Sequence, residues 1–319
     1  MPGARGAKQT DRGGAHGHRM LLQEVLRRIY PEYSKTPRLP GYLHRAVWAL
    51  MACRTAALGG HREACPEGHL ERIHYNSCKH RACPRWAFIA VHEWLTAKLH
   101  LLLPCDYYHV IFTLPHALNP LWRWNVRRMT ALLFAAMRDT VYEFLHDPKY
   151  LGAPPGMLAA WHTWGQTLVL PPHLHCLITA GGVTPAGQWQ AAQRRFLFPI
   201  RAVSVVCRGK FLAAVRRAVA AGRLQLPPDL SAQELHTLLN KLGRKKWNGH
   251  IRARYPHGRG VLTSVSRYLR GGPLAEGRLL KARAQEVAFW YTDHTEQEAQ
   301  GRGTRKTLTS RPRSFSRGC

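Results

Sequence analysis

His173 and His175 stand two residues apart in PPHLHCLIT, residues 171–179, a short apolar run behind two prolines. Side chains at i and i+2 of a strand leave the same face about 6.6 Å apart. The two imidazoles therefore point together, while Leu174, Cys176 and Ile178 turn toward a core. Neutral imidazole is a good ligand at pH 7, so a rigid pair of this kind can share one divalent ion. Alone the pattern is weak, because His-x-His in a strand is more often two surface or hydrogen-bonded histidines.

A second stretch able to do chemistry is GVLTSVSRYLRGG, residues 260–272. Helical spacing sets Ser264 one turn before Tyr268 on the same face, with Arg267 and Arg270 beside the tyrosine. A phenol near cations and a metal-polarised phosphate is a nucleophile toward a phosphodiester. The bland alternative is an amphipathic helix with an ordinary buried tyrosine, and only the histidines weigh against it.

Cys53, Cys65, Cys78 and Cys83 fall in one region that also holds five histidines between residues 61 and 92. Such clustering points to a metal site in a reducing compartment, since disulfides in so long a chain would be spread more evenly. The charge balance names the partner. Lys and Arg number 47 against 18 Asp and Glu, a formal +29 over 319 residues, and the excess needs a polyanion such as nucleic acid. No apolar run reaches the roughly 18 residues that span a bilayer, and the first residues lack the apolar core of a signal peptide. A cytoplasmic, chromosome-associated, bacterial location is expected, with no membrane partner.

The elements that must position these residues follow from periodicity. Helices are expected near 20–30, 41–53, 84–104, 119–147, 201–221, 231–242 and 261–270, the 231–242 helix opened by a Ser231/Glu234 capping box. DYYHVIFTLP alternates, with Tyr108, Val110, Phe112 and Leu114 on one face and His109 and Thr113 on the other. Strands are expected there, at 164–180 and at EVAFWY. GRKKWNGHIRARYPHGRG reads as a basic stretch, in which Trp247 or Tyr255 could stack an unpaired base. Interleaving without a βαβ rhythm predicts an α+β fold with an antiparallel sheet. The expected division is a disordered basic tail at 1–19, a helical and metal-binding module at 20–96, an α+β domain carrying His173, His175 and Tyr268 at 97–292 and a disordered basic tail at 293–319.

NSCKHRACP, HVIFTLPHALNPLWRWN, HTWGQTLVLPPHLHCLITAGG, KWN and HGRGVLTSVSRYLRGGP together resemble the insertion-sequence ninety-one family of rolling-circle transposases, over roughly residues 40–306. That family belongs to the HUH endonucleases, and its histidine pair matches His173 and His175. The resemblance implies an antiparallel HUH sheet flanked by helices behind a small zinc-ribbon-like module. It implies that the histidines, with a third polar ligand, hold Mg²⁺ or Mn²⁺ against single-stranded DNA at element ends. Tyr268 would then form a 5′-phosphotyrosine and free a 3′-hydroxyl. Gln166, seven residues before His173, or His109 on a neighbouring strand is the expected third ligand. Covalent conservation of the bond needs no nucleotide energy source, in keeping with the lack of a phosphate loop motif. Expected DNA contacts are Arg244, Lys245, Lys246, Arg252, Arg254, Arg259, Arg267 and Arg270.

Three departures stand out. Ser264 occupies the place of a second tyrosine, and a hydroxyl is a poor substitute for a phenol. Gly68 and Trp86 stand where Cys-x-x-Cys pairs would close, leaving Cys65, His69, Cys78 and Cys83 as expected Zn²⁺ ligands, with Cys53, His74 and His80 in reserve. After about Thr307 the family character fades, suggesting a truncated copy. A DNA-binding protein without catalysis and a metal-dependent nuclease that uses water are the rival functions.

Overall fold

The computed structural model describes residues 21–35, 39–69, 71–162, 167–168, 173–192, 197–270, 274–283, 286–297 and 303–310, with backbone alone at 87–88, 252–253, 264, 267–270 and 294–297. The fold is α+β, and its strands pair antiparallel throughout.

In chain order, α1 (Leu22–Ser34) and α2 (Gly41–Ala52) precede a hairpin of β1 (Gly60–Ala64) and β2 (Glu71–Tyr75). Then come α3 (Pro84–Leu99), β3 (Tyr107–Thr113), α4 (Asn119–Trp124), α5 (Val126–His146), β4 (Pro155–His162), β5 (His173–Val183) and β6 (Trp189–Ala191). The rest is α6 (Ile200–Ala220), α7 (Ala232–Arg244), β7 (Asn248–Tyr255), α8 (Arg259–Arg270), β8 (Leu279–Arg283), β9 (Glu286–Gln297) and β10 (Gly303–Ser310).

The central sheet runs β4-β5-β3-β7, with β6 added to the far end of β5. Its two faces are chemically different because alternate residues leave opposite sides. Tyr108, Val110, Phe112, Leu174, Cys176 and Ile178 face the main core, which is completed by α5, α6 and α7. α5 buries Met129, Leu133, Met137 and Val141 at four-residue steps, and α7 buries Leu235, Leu239 and Leu242 behind its Ser231/Glu234 capping box. These are apolar stripes of helical period on otherwise polar helices. On the opposite face lie Tyr107, Leu177, Leu158 and Ala160, covered by Val261 and Val265 of α8. α3 packs in turn on α8.

A smaller sheet, β10-β9-β8, is packed by α1, whose Leu22, Val25 and Ile29 join Leu279, Val287 and Phe289. Arg28 Nη1 donates to the Ala282 carbonyl at 3.0 Å, and Arg85 pairs with Glu276 at 3.6 Å. Among the described residues no helix is long and apolar enough to cross a membrane.

Several expectations change. Residues 303–310 form a strand in register with β9, so the expected disordered tail from 293 contains ordered backbone; ladder bonds along β9 hold it. The strand expected over 164–180 is described from His173 and continues to Val183, and the first tail, 1–19, lies outside the described residues. The basic stretch before α8 contains β7, an edge strand in which Gly249 lies close under α6: a Cβ there would meet Ser204 Oγ at 2.2 Å. Trp247 is buried core, its indole N–H given to the Leu242 carbonyl at 3.1 Å, and so presents no ring to a base. Tyr255 is half-buried beside Tyr107 and Leu177.

Candidate functional site

β5 lies between β4 and β3, and its register assembles four histidines on the α8 side of the sheet. His173 is opposite His162 of β4 and Thr113 of β3; His175 is opposite Ala160 and Ile111; Leu177 is opposite Leu158 and His109. Directly opposed residues share a face and diagonal neighbours remain within reach of long side chains. His162 Nδ1 is 2.6 Å from His173 Nε2, and His109 Nε2 is 2.8 Å from His175 Nδ1. The His173 and His175 ring centroids are 4.8 Å apart, as the strand spacing predicts.

His162, His173 and His175 each offer a nitrogen, and these atoms lie within 4.8 Å of one another. His109 and His162 are buried, while His173 and His175 are half-buried and open one side of the group. Burial, and then the neighbouring His173, lowers the His162 pKa to about 3. It is therefore neutral near pH 7 and keeps a lone pair to give. Three imidazoles on two adjacent strands fit a divalent transition ion.

Of the two expected third ligands, His109 is thus in contact with His175, and Gln166 lies outside the described residues. His162 was not singled out from sequence. Its signal was the alternation of Leu158, Ala160 and His162 against Met157, Ala159 and Trp161, weakened by a strand opening with Pro155 and Gly156.

α8 enters this face through Gly258, whose φ of +58° and close approach to Tyr107 exclude a side chain: a Cβ would meet the ring at 2.8 Å. Tyr268 is on α8, three positions after Val265 and seven after Val261, the two valines that touch the sheet. The side chains of Ser264, Arg267, Tyr268 and Arg270, and that of Arg252 on β7, lie outside the described residues. Arg259 is exposed at the start of α8. Arg254 is held by Asp106, Nε to Oδ2 2.6 Å. Arg244, Lys245 and Lys246 are exposed at the end of α7, which packs on the other face of the sheet, so they are not brought to the histidines.

The cysteines assemble differently from the expected set. Cys53 caps the end of α2 and Cys83 the start of α3, with Sγ atoms 3.7 Å apart; Cys78 completes a group whose sulfurs lie within 4.8 Å. Cys65 and His69 pair with each other at 4.0 Å in the β1–β2 turn. The reason is the hairpin: Cys53 and Cys78 flank its base, near Gly60 and Tyr75, whereas Cys65 follows Ala64 at its far end. A five-residue strand separates the two ends by about 13 Å. His74 is engaged by Glu63 at 3.0 Å, and His80 Nδ1 accepts from the Ala82 amide at 3.3 Å. Burial, and the nearness of the other thiols, pushes Cys78 up to about 12 and raises Cys83. Three thiols so crowded are a soft donor set suited to zinc.

Residues 156–316 match the family model described as "Putative transposase", and residues 25–114 match one described as "Transposase zinc-binding domain". The chain is 36% identical over 261 residues to "Putative transposase y4qJ" of Sinorhizobium fredii, covering 80% of this chain and 66% of that protein. It is 29% identical over 268 residues to "Transposase for insertion sequence element IS801" of Pseudomonas savastanoi pv. phaseolicola, covering 80% and 62%. The chain thus spans just under two thirds of the length of these relatives. The first family match continues past Thr307, where the sequence reading lost the pattern. The second begins within α1 and extends through β3, beyond the expected module boundary at 96.

Proposed function

The chain belongs to the insertion-sequence ninety-one family of transposases, and from that premise we propose that it is a DNA transposase that cleaves and rejoins single-stranded DNA through Tyr268. The observation that carries this is the histidine group beneath the tyrosine helix. Gly258 lies where a Cβ would meet Tyr107 and Leu177. Tyr268 lies ten residues on, about 15 Å along a helix axis; His175 and His173 lie two and four residues from Leu177, about 7 and 13 Å along β5. A helix that packs along β4 and β5 therefore has the length to bring its tyrosine over the histidines.

His162, His173 and His175 would hold the ion, with His109 fixing the ring of His175. Bound there, Mg²⁺ or Mn²⁺ supplies neutralisation of the charge that grows on the phosphate oxygens. The Tyr268 hydroxyl attacks phosphorus: a bond from phosphorus to the tyrosine oxygen forms, the bond to the 3′ oxygen breaks, and the phenolic proton passes to that leaving oxygen. A 5′-phosphotyrosine and a 3′-hydroxyl result, and attack by another 3′-hydroxyl reverses the step. With Ser264 in place of a second tyrosine, one tyrosine serves both transfers. Cys53, Cys78 and Cys83 would hold Zn²⁺ as a structural ion at the junction of α2 and α3.

The test is incubation with single-stranded element-end DNA and Mn²⁺ beside Tyr268→Phe, resolved on a denaturing gel. A covalent adduct absent from the variant supports the proposal. DNA shifted on a native gel without an adduct would leave a binding protein only, and cleavage retained by the variant would indicate water as the nucleophile.

A further inference from the structure

Arg216 Nη2 donates to Asn240 Oδ1 at 3.0 Å, and Arg208 Nη1 donates to the Lys245 carbonyl at 2.6 Å. The two arginines stand eight residues apart on α6, about 12 Å along its axis, and both reach across to α7. Between them the last turns of α7 form a concavity of about 400 Å³ lined by Thr237, Asn240, Lys241, Arg244 and Lys245. Three cations line the hollow, and Arg208 and Arg216, bonded to Lys245 and Asn240, make five on this face. Among the described residues none of the five makes an ion pair with a carboxylate; on the neighbouring surface Lys210 has Glu143 and Arg138 has Asp139. The C-terminal carbonyls of α7 offset only about half a charge, so the hollow needs an external anion.

Its place in the fold says which. α6 and α7 cover the Val110–Phe112 face of the central sheet, and the histidines open on the other. A strand seated at the histidines would have to wrap around a sheet edge to reach the hollow. The lining also holds no aromatic side chain, and Trp247 beside it is buried. Single-stranded nucleic acid is held by basic grooves with exposed rings on which bases stack, whereas cations on rigid helices read phosphate alone and set register on a duplex. We propose that the α6–α7 face binds the phosphate backbone of duplex DNA, the double-stranded flank of the strand that is cut on the opposite face. This rests on the reading above in taking DNA as the partner and in seating the cut strand at the histidines.

The experiment compares wild type with the double variant Arg216→Glu/Lys241→Glu, and with its alanine counterpart as a milder version that preserves the helices. A labelled 30-base-pair duplex of mixed sequence is titrated between about 50 and 200 mM salt, and adduct formation is measured with a pool of randomised 30-nucleotide single strands and Mn²⁺. Duplex affinity should fall tenfold or more in the glutamate variant. Two lost phosphate contacts should lower the slope of log affinity against log salt by about 1.8, while the yield of single-strand adduct stays as in wild type. Duplex affinity within threefold of wild type would overturn the proposal, as would parallel loss of adduct and duplex binding, which would put this face on the path of the cut strand. If wild type itself forms no adduct, the strand-transfer reading fails, and duplex affinity still decides this one.

Discussion

His109 Nε2 lies 2.8 Å from His175 Nδ1, across the β3–β5 ladder and two residues out of register. One of these nitrogens must carry the proton; when it is His175 Nδ1, the Nε2 of that ring is the atom left for an ion. Partners of this kind raise affinity without touching the metal. His109→Ala should weaken Mn²⁺ binding 10- to 100-fold, measured by paramagnetic titration. His109→Gln, which keeps a hydrogen-bonding group on the strand, should recover part of the loss.

The donor set also predicts a metal preference. Imidazole suits transition ions, whereas Mg²⁺ prefers oxygen ligands and gives up water reluctantly. Half-maximal adduct formation should need at least tenfold less Mn²⁺ than Mg²⁺, and His162→Ala should raise the Mn²⁺ requirement most steeply. Equal requirements for the two ions would argue against a three-imidazole site.

For the cysteines the structure separates two ligand sets. Cys53→Ser should lower the zinc content of purified protein below half of the wild-type value, read by atomic emission, and loosen the start of α3. Cys65→Ser should leave the content unchanged, because Cys65 sits at the far end of the β1–β2 hairpin. The opposite result would restore the sequence-based ligand set.

Gly258→Ala places a side chain at a left-handed position and against the Tyr107 ring. The expected cost is about 2 kcal/mol, seen as a melting midpoint lower by several degrees. Gly187→Ala shares the positive φ, but a Cβ there meets nothing within 4 Å, so it should cost about half as much.

Much of the architecture was legible because it rests on local periodicity. α5, α7 with its capping box, and β3 with its alternation each declare themselves within a few residues. The histidine site was half legible. His173 and His175 share a strand, so their spacing reveals them, but His162 joins only through the β4–β5 register, and β4 opens with Pro155 and Gly156 and carries two alanines. Cys53 was placed in reserve for a similar reason: it comes beside Cys78 and Cys83 through the paths of α2 and the hairpin, not through a short motif. β7 was hidden by its charge, since an edge strand has no need of an apolar face on both sides.

The packing of α1 on β8 and β9 closes the chain upon itself: Arg28 bonds the Ala282 carbonyl across 254 positions. α1 is made 254 positions ahead of the strand it bonds, so it waits without that partner while the intervening chain is synthesised. Contacts of such long separation also slow folding once the chain is free. α1 therefore cannot complete its packing until β8 and β9 have been made, and a product interrupted before them lacks the sheet on which that helix rests.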